Sequence, residues 1–110
     1  MNLTPEQIKE NWVEMLSYIK KHIQSPRKEK LLDFYNKYEE RLILMPASIK
    51  REFHGAFPGG YVNHVCNVIR NSFLILEAWK SAGADVSTFT VEELVFSALN
   101  HDLGKMGYIS

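Results

Sequence analysis

The sequence predicts an all-α fold. Apolar residues recur at steps of three and four over long stretches. No segment alternates with period two for long enough to make a strand. Helix-start and helix-stop residues bracket the periodic stretches.

Thr4-Pro5-Glu6-Gln7 starts the first helix, with Thr4 as N-cap, Pro5 at the first helical position and Gln7 placed to complete a capping box. Ile8, Trp12, Met15, Leu16, Ile19 and Ile23 follow as one apolar stripe. Ser25-Pro26 opens a second helix in the same manner. Leu31, Leu32, Tyr35, Tyr38 and Leu42 mark its buried side, and Pro46 closes it. Residues 47–60 are less regular: Ala47 to Phe53 suits a short helix, and Phe57-Pro58-Gly59-Gly60 is a turn. A third helix is expected from Gly60 to Ala82, ended by Gly83, with Val62, Val65, Ile69, Phe73 and Leu76 as its main stripe. Val68, Leu74 and Ile75 lie off that stripe, so this helix is apolar most of the way round and is expected to be the central, most buried one. Thr90 and Glu93 form another capping box, and Val91 to Leu103 makes a fourth helix stopped by Gly104.

The chain of 110 residues, 45% apolar and 24% charged, suits one globular domain rather than a disordered or fibrous protein. No apolar run approaches the length of a membrane-spanning helix. The start, Met1-Asn2-Leu3-Thr4-Pro5-Glu6, lacks the basic stretch and apolar core of a signal peptide. The lone Cys66 excludes an internal disulfide and a Cys-based zinc finger; it reads as a small core residue and suits a reducing compartment. A cytoplasmic location with no membrane association is therefore expected.

The 13 basic and 13 acidic side chains cancel unevenly. Residues 1–51 hold 10 Lys/Arg and 7 Asp/Glu, while residues 52–110 hold 3 and 6. The basic excess clusters at Lys20, Lys21, Arg27, Lys28 and Lys30. It reads either as a solvated helix junction or as a patch attracting a polyanion, and no aromatic residue is interleaved there in a way that favours the second.

Three polar features sit where packing alone would not put them. His64 lies near the start of the most apolar helix, with Asn67 and Asn71 on its face. His101-Asp102 stands at the end of an otherwise apolar helix, where a carboxylate meets the negative end of the macrodipole and a bound cation would reverse the penalty. In His54-Gly55-Ala56-Phe57-Pro58-Gly59-Gly60, two glycines precede a helix and leave its first N–H groups open as an anion seat. Each has a plainer alternative: a solvated stripe, a capping pair, a tight loop. Together, three His and one Asp without a thiolate suit a divalent ion such as Mn, Fe, Ni, Co, Zn or, less well, Mg.

His64 followed by His101-Asp102-Leu103-Gly104-Lys105 resembles the HD-domain metal-dependent phosphohydrolase superfamily, whose pattern is H…HD…D on an all-helical core. His54 followed by Gly59-Gly60-Tyr61-Val62-Asn63-His64 is similar to the HD domain of certain bacterial 3′-to-5′ exoribonucleases. The resemblance covers about residues 50–107. It implies an HD-like helical bundle with His64, His101 and Asp102 as metal ligands, and Asp102 and Lys105 as catalytic residues. His54, Gly59, Gly60 and Lys105 would bind substrate, a nucleotide or nucleic-acid phosphoester hydrolysed by metal-activated water. Two residues depart from the pattern: Asn100 precedes His101 where the family has an aliphatic residue, and Asn63 precedes His64 where this branch often has an acid. The family's last Asp has no counterpart, because the chain ends eight residues after Asp102 with no Asp or Glu among them.

The chain thus reads as a single domain, 1–110, with an N-terminal helical pair at 1–45 and a partial HD core at 46–110. The final ligand is expected from a longer protein, a completing chain or a homo-oligomer. The alternative is a non-catalytic, truncated HD-like module that binds a nucleotide or a partner protein through its exposed apolar surface.

Overall fold

The computed structural model describes residues 2–46, 57–86 and 90–101, and these form five α-helices with no strand among them. Helix α1 (Pro5–His22) starts as its sequence dictates. The Gln7 N–H donates to Thr4 Oγ1 at 3.1 Å, and the Thr4 N–H donates to Gln7 Oε1 at 2.9 Å, which completes the capping box. Trp12, Met15 and Ile19, three and four residues apart, are buried on one side of α1, and Ile23 continues the row just past its end.

The stretch from Arg27 to Ile43 does not form one helix. It breaks at Tyr38, whose φ of −108° and ψ of 19° leave helical space, into α2 (Arg27–Lys37) and α3 (Glu39–Ile43). The Tyr38 carbonyl restarts the chain by accepting from the N–H groups of Arg41 at 3.1 Å and Leu42 at 2.9 Å. This change of direction buries Leu42 and Met45 beside the next long helix. The residue capping α2 is Pro26, which has no side-chain oxygen to accept from the first N–H groups, and the Ser25 hydroxyl donates to Glu29 instead of capping.

Helix α4 (Gly60–Ser81) runs parallel to α1: Asn11 meets Asn63, Glu14 meets Arg70, and Tyr18 meets Phe73. Its first half is buried through Tyr61, Val62, Val65, Cys66 and Ile69. The expectation that it is the most buried helix fails over its second half, where Leu74, Ile75 and Trp79 are 68%, 50% and 51% exposed. The reason is length. Helix α1 ends at His22, whose ring lies beside Phe73 at 5.4 Å, so the last turns of α4 outrun it. The central position belongs to α1, which packs against each of the other helices.

Helix α5 (Val91–Asn100) is capped by Thr90, whose hydroxyl accepts from the Glu93 N–H at 3.1 Å. Only half of the expected capping box forms, because the Glu93 carboxylate turns to Arg27 on α2 at 3.3 Å. The expected short helix at 47–53 and the continuation of α5 to Leu103 lie outside the described residues. One continuous core joins α1 to α5, with Tyr35, Tyr61, Met15, Ile19, Val95 and Leu99 wholly buried. No helix among the described residues is long and apolar enough to cross a membrane.

Candidate functional site

Helices α4 and α5 pack antiparallel, so the beginning of one meets the end of the other. That geometry brings His64, in the second turn of α4, to His101, which follows the last residue of α5. Their ring centroids are 5.7 Å apart at an interplanar angle of 49°. His64 is half-buried and His101 is exposed. His101 Nδ1 lies 2.9 Å from the Ala98 carbonyl. A carbonyl oxygen only accepts, so the ring nitrogen that faces it, Nδ1, carries a proton.

The end of α5 that presents His101 is held from below. Tyr35 on α2 and Tyr61 on α4 both donate their hydroxyls to the Leu99 carbonyl, at 3.2 and 3.1 Å. Both tyrosines are fully buried. Burial pushes the Tyr35 phenol above its ordinary range, so it remains a protonated donor at neutral pH. Apolar spacing marks Tyr35 as buried but not Tyr61. The available signal was chemical: a tyrosine buried in an aliphatic stripe must place its hydroxyl on an acceptor.

The beginning of α5 is held separately. The Gln24 N–H donates to Glu92 Oε2 at 3.0 Å. Arg27 reaches Glu93 at 3.3 Å and Glu92 at 3.9 Å, with its guanidinium 4.2 Å above the Phe96 ring. Part of the basic cluster therefore serves to anchor α5.

Helix α4 is tied to α1 by a carboxylate–guanidinium pair. Arg70 donates through Nε to Glu14 Oε2 at 2.8 Å and through Nη2 to Oε1. The Tyr18 hydroxyl donates to Glu14 Oε2 at 2.6 Å. Hydrogen bonding to Arg70 holds the Glu14 carboxyl below its ordinary value against the opposing effect of burial. Burial, reinforced by the Glu14 carboxylate, pushes the Tyr18 phenol up to about 12. Arg70 also donates to Asn67 Oδ1 at 2.8 Å, so Asn67 belongs to this network, while Asn71 is exposed.

Gly59 and Gly60 do not hold their N–H groups open for an anion. The Gly59 N–H donates to the Leu44 carbonyl at 3.2 Å, Gly60 to Phe57 at 2.9 Å, and Tyr61 to Met45 at 2.9 Å. The turn exists to pack. Gly59 has a φ of 82°, and a Cβ there would lie 2.8 Å from Ile8 Cγ1.

A groove of about 500 Å³ runs between α4 and α5, lined by Val68, Leu94 and Ala98, by the hydroxyls of Ser72 and Ser97, and by His101. Cys66 lies on another side of α4, buried, with its thiol 3.4 Å from the Asn11 carbonyl, and burial pushes that thiol up to about 12. It is a core residue, as expected.

Of the residues singled out in the sequence, His54, Asp102 and Lys105 lie outside the described residues. Among the described residues no three His, Cys, Asp or Glu side chains gather as a metal cluster. The two expected ligands that are described, His64 and His101, are brought together. Comparison of the chain with family models, with curated proteins and with solved structures returned no match.

Proposed function

We propose that the chain carries a metal-dependent phosphohydrolase site of the HD type, acting on a nucleotide or nucleic-acid phosphoester. The observation that supports this reading is the meeting of His64 and His101 across α4 and α5. The donor set fits a divalent ion of borderline character: two imidazoles and no thiolate, with the Asp102 carboxylate next in the chain. His64, His101 and Asp102 would hold it. When bound, such an ion supplies Lewis acidity and an activated water.

The chain's own residues orient the ligands. Ala98 fixes the tautomer and ring plane of His101, as outer carbonyl partners do for metal-binding histidines. Tyr35 and Tyr61 fix the backbone one turn's end behind it. His64 rides on a helix start whose Gly60 and Tyr61 N–H groups are already bonded, to the Phe57 and Met45 carbonyls. Lys105 would set a cation against phosphate charge, and His54 would add a phosphate contact or a ligand to a second metal.

Metal analysis of the purified chain tests the reading. Retention of a divalent ion is expected, with loss in His64→Ala and in His101→Ala while far-UV circular dichroism stays helical. Hydrolysis of bis(p-nitrophenyl) phosphate should fall in parallel. A chain that retains no metal, or whose retention is unchanged in both variants, overturns it. A second reading, a non-catalytic module binding a nucleotide or a partner protein, is favoured by the exposed Leu74, Ile75 and Trp79 side of α4. The same measurement separates the two.

A further inference from the structure

The basic cluster at residues 20–30 lacks interleaved aromatic residues in sequence, but folding supplies them. Arg27, Lys30, Leu31 and Phe34 recur at helical spacing and share one side of α2. Phe96 and Asn100, four residues apart on α5, face them across a recess of about 340 Å³. We infer that this recess binds a small planar aromatic acid. The inference does not rest on the metal reading.

The walls suit a flat ring. Leu31, Phe34 and Phe96 are half-buried. Phe34 is already fixed edge-on against Tyr35 at 5.5 Å and tilted against Tyr38 at 5.0 Å. Phe96 is fixed by the guanidinium above it. Rings held in advance lose little freedom when a ligand ring joins them in an edge or offset contact.

The charges select an acid with a single anionic group. Arg27 is paired with Glu92 and Glu93. Lys30 makes no ion pair among the described residues, so its ammonium is the cation left for a carboxylate. Asn100 donates through Nδ2 to the Phe96 carbonyl at 2.7 Å, which leaves Oδ1 to accept from a ring N–H or O–H. The volume lies at the low end for ligand sites, and Glu92 and Glu93 nearby oppose a polyphosphate. One or two fused rings with one carboxylate and one ring donor fit these terms.

Indole-3-acetate serves as the probe and neutral indole as its control, read by two-dimensional NMR of the labelled chain. Indole-3-acetate is expected to shift the Leu31, Phe34 and Phe96 signals and to bind about fivefold more tightly than indole, the upper end for a solvent-exposed ion pair. Lys30→Gln, a surface change that leaves the core untouched, should remove that preference and leave indole affinity as it was. Leu31→Trp, which fills the recess, should abolish binding of both. Shifts centred on the groove beside His101, no shifts at all, or a preference that survives in Lys30→Gln would overturn the inference.

Discussion

Replacing Tyr35 and Tyr61 by Phe, singly and together, isolates the two hydroxyls that share the Leu99 carbonyl. The rings stay in place, so no cavity opens. The bonds measure 3.2 and 3.1 Å, longer than the 2.7–2.8 Å most common for O–H···O, which sets each in the lower part of the usual range, about 0.5–1 kcal/mol. Among the described residues, either single variant leaves the carbonyl one donor. The double variant removes both and exposes the buried oxygen to a desolvation penalty of about 1–3 kcal/mol. The double loss should therefore exceed the sum of the single losses by about 0.5–1 kcal/mol, a coupling typical of groups in one network. Urea titrations followed by circular dichroism at matched slopes give the three values. Because His101 lies two residues beyond Leu99, metal retention should fall further in the double variant than in either single one. Strictly additive losses, or single losses below about 0.3 kcal/mol, would show that the hydroxyls do not jointly hold this end of α5.

Three further outcomes follow from the same contacts. Glu14 has a carboxyl lowered from 4.5 by Arg70, so its contribution is present above that value and lost as pH falls through the lower folded value; Glu14→Gln should cost up to about 1 kcal/mol at pH 7 and flatten the acid limb below about pH 4.5, and identical pH profiles would refute the pairing. Gly59→Ala meets both a positive φ and the Ile8 side chain, whereas Gly83→Ala meets a φ of 88° with nothing nearby; the first should lower stability by about 1–3 kcal/mol and clearly more than the second, and equal thermal shifts would remove the role given to Ile8. Cys66, buried with its thiol pushed up to about 12, should resist an aromatic disulfide reagent at pH 8 while folded and react fully in urea; rapid labelling of the folded chain would contradict its placement.

Much of the local structure was legible because its causes are local. Thr4 and Gln7 lie three residues apart and bond to each other, and Trp12, Met15, Ile19 and Ile23 are buried as their spacing predicts, with Leu16 partly buried beside them. The break at Tyr38 was not legible, since no Gly or Pro marks it and its cause is the distant demand that Leu42 and Met45 reach the core. Glu93 had two attractive partners, the N-cap backbone three residues away and Arg27 far along the chain, and the distant one won. The Gly59-Gly60 turn suggested open N–H groups because the carbonyls of Leu44 and Met45, which take two of them, come from outside that turn.

The candidate site divides in the same way. The residue types alone determined that His64 and His101 are borderline nitrogen donors near helix ends, and that Cys66 has no second cysteine for an internal disulfide. Only the tertiary structure decided that α4 and α5 lie antiparallel with those ends together, that Tyr35 and Tyr61 converge on one carbonyl, and that the Lys30 and Phe34 side of α2 faces Phe96. A helix is written by hydrogen bonds spanning four residues, so its limits and faces can be read along the chain. Which helix ends meet is set by how the apolar stripes pack against one another, and that depends on all the helices at once.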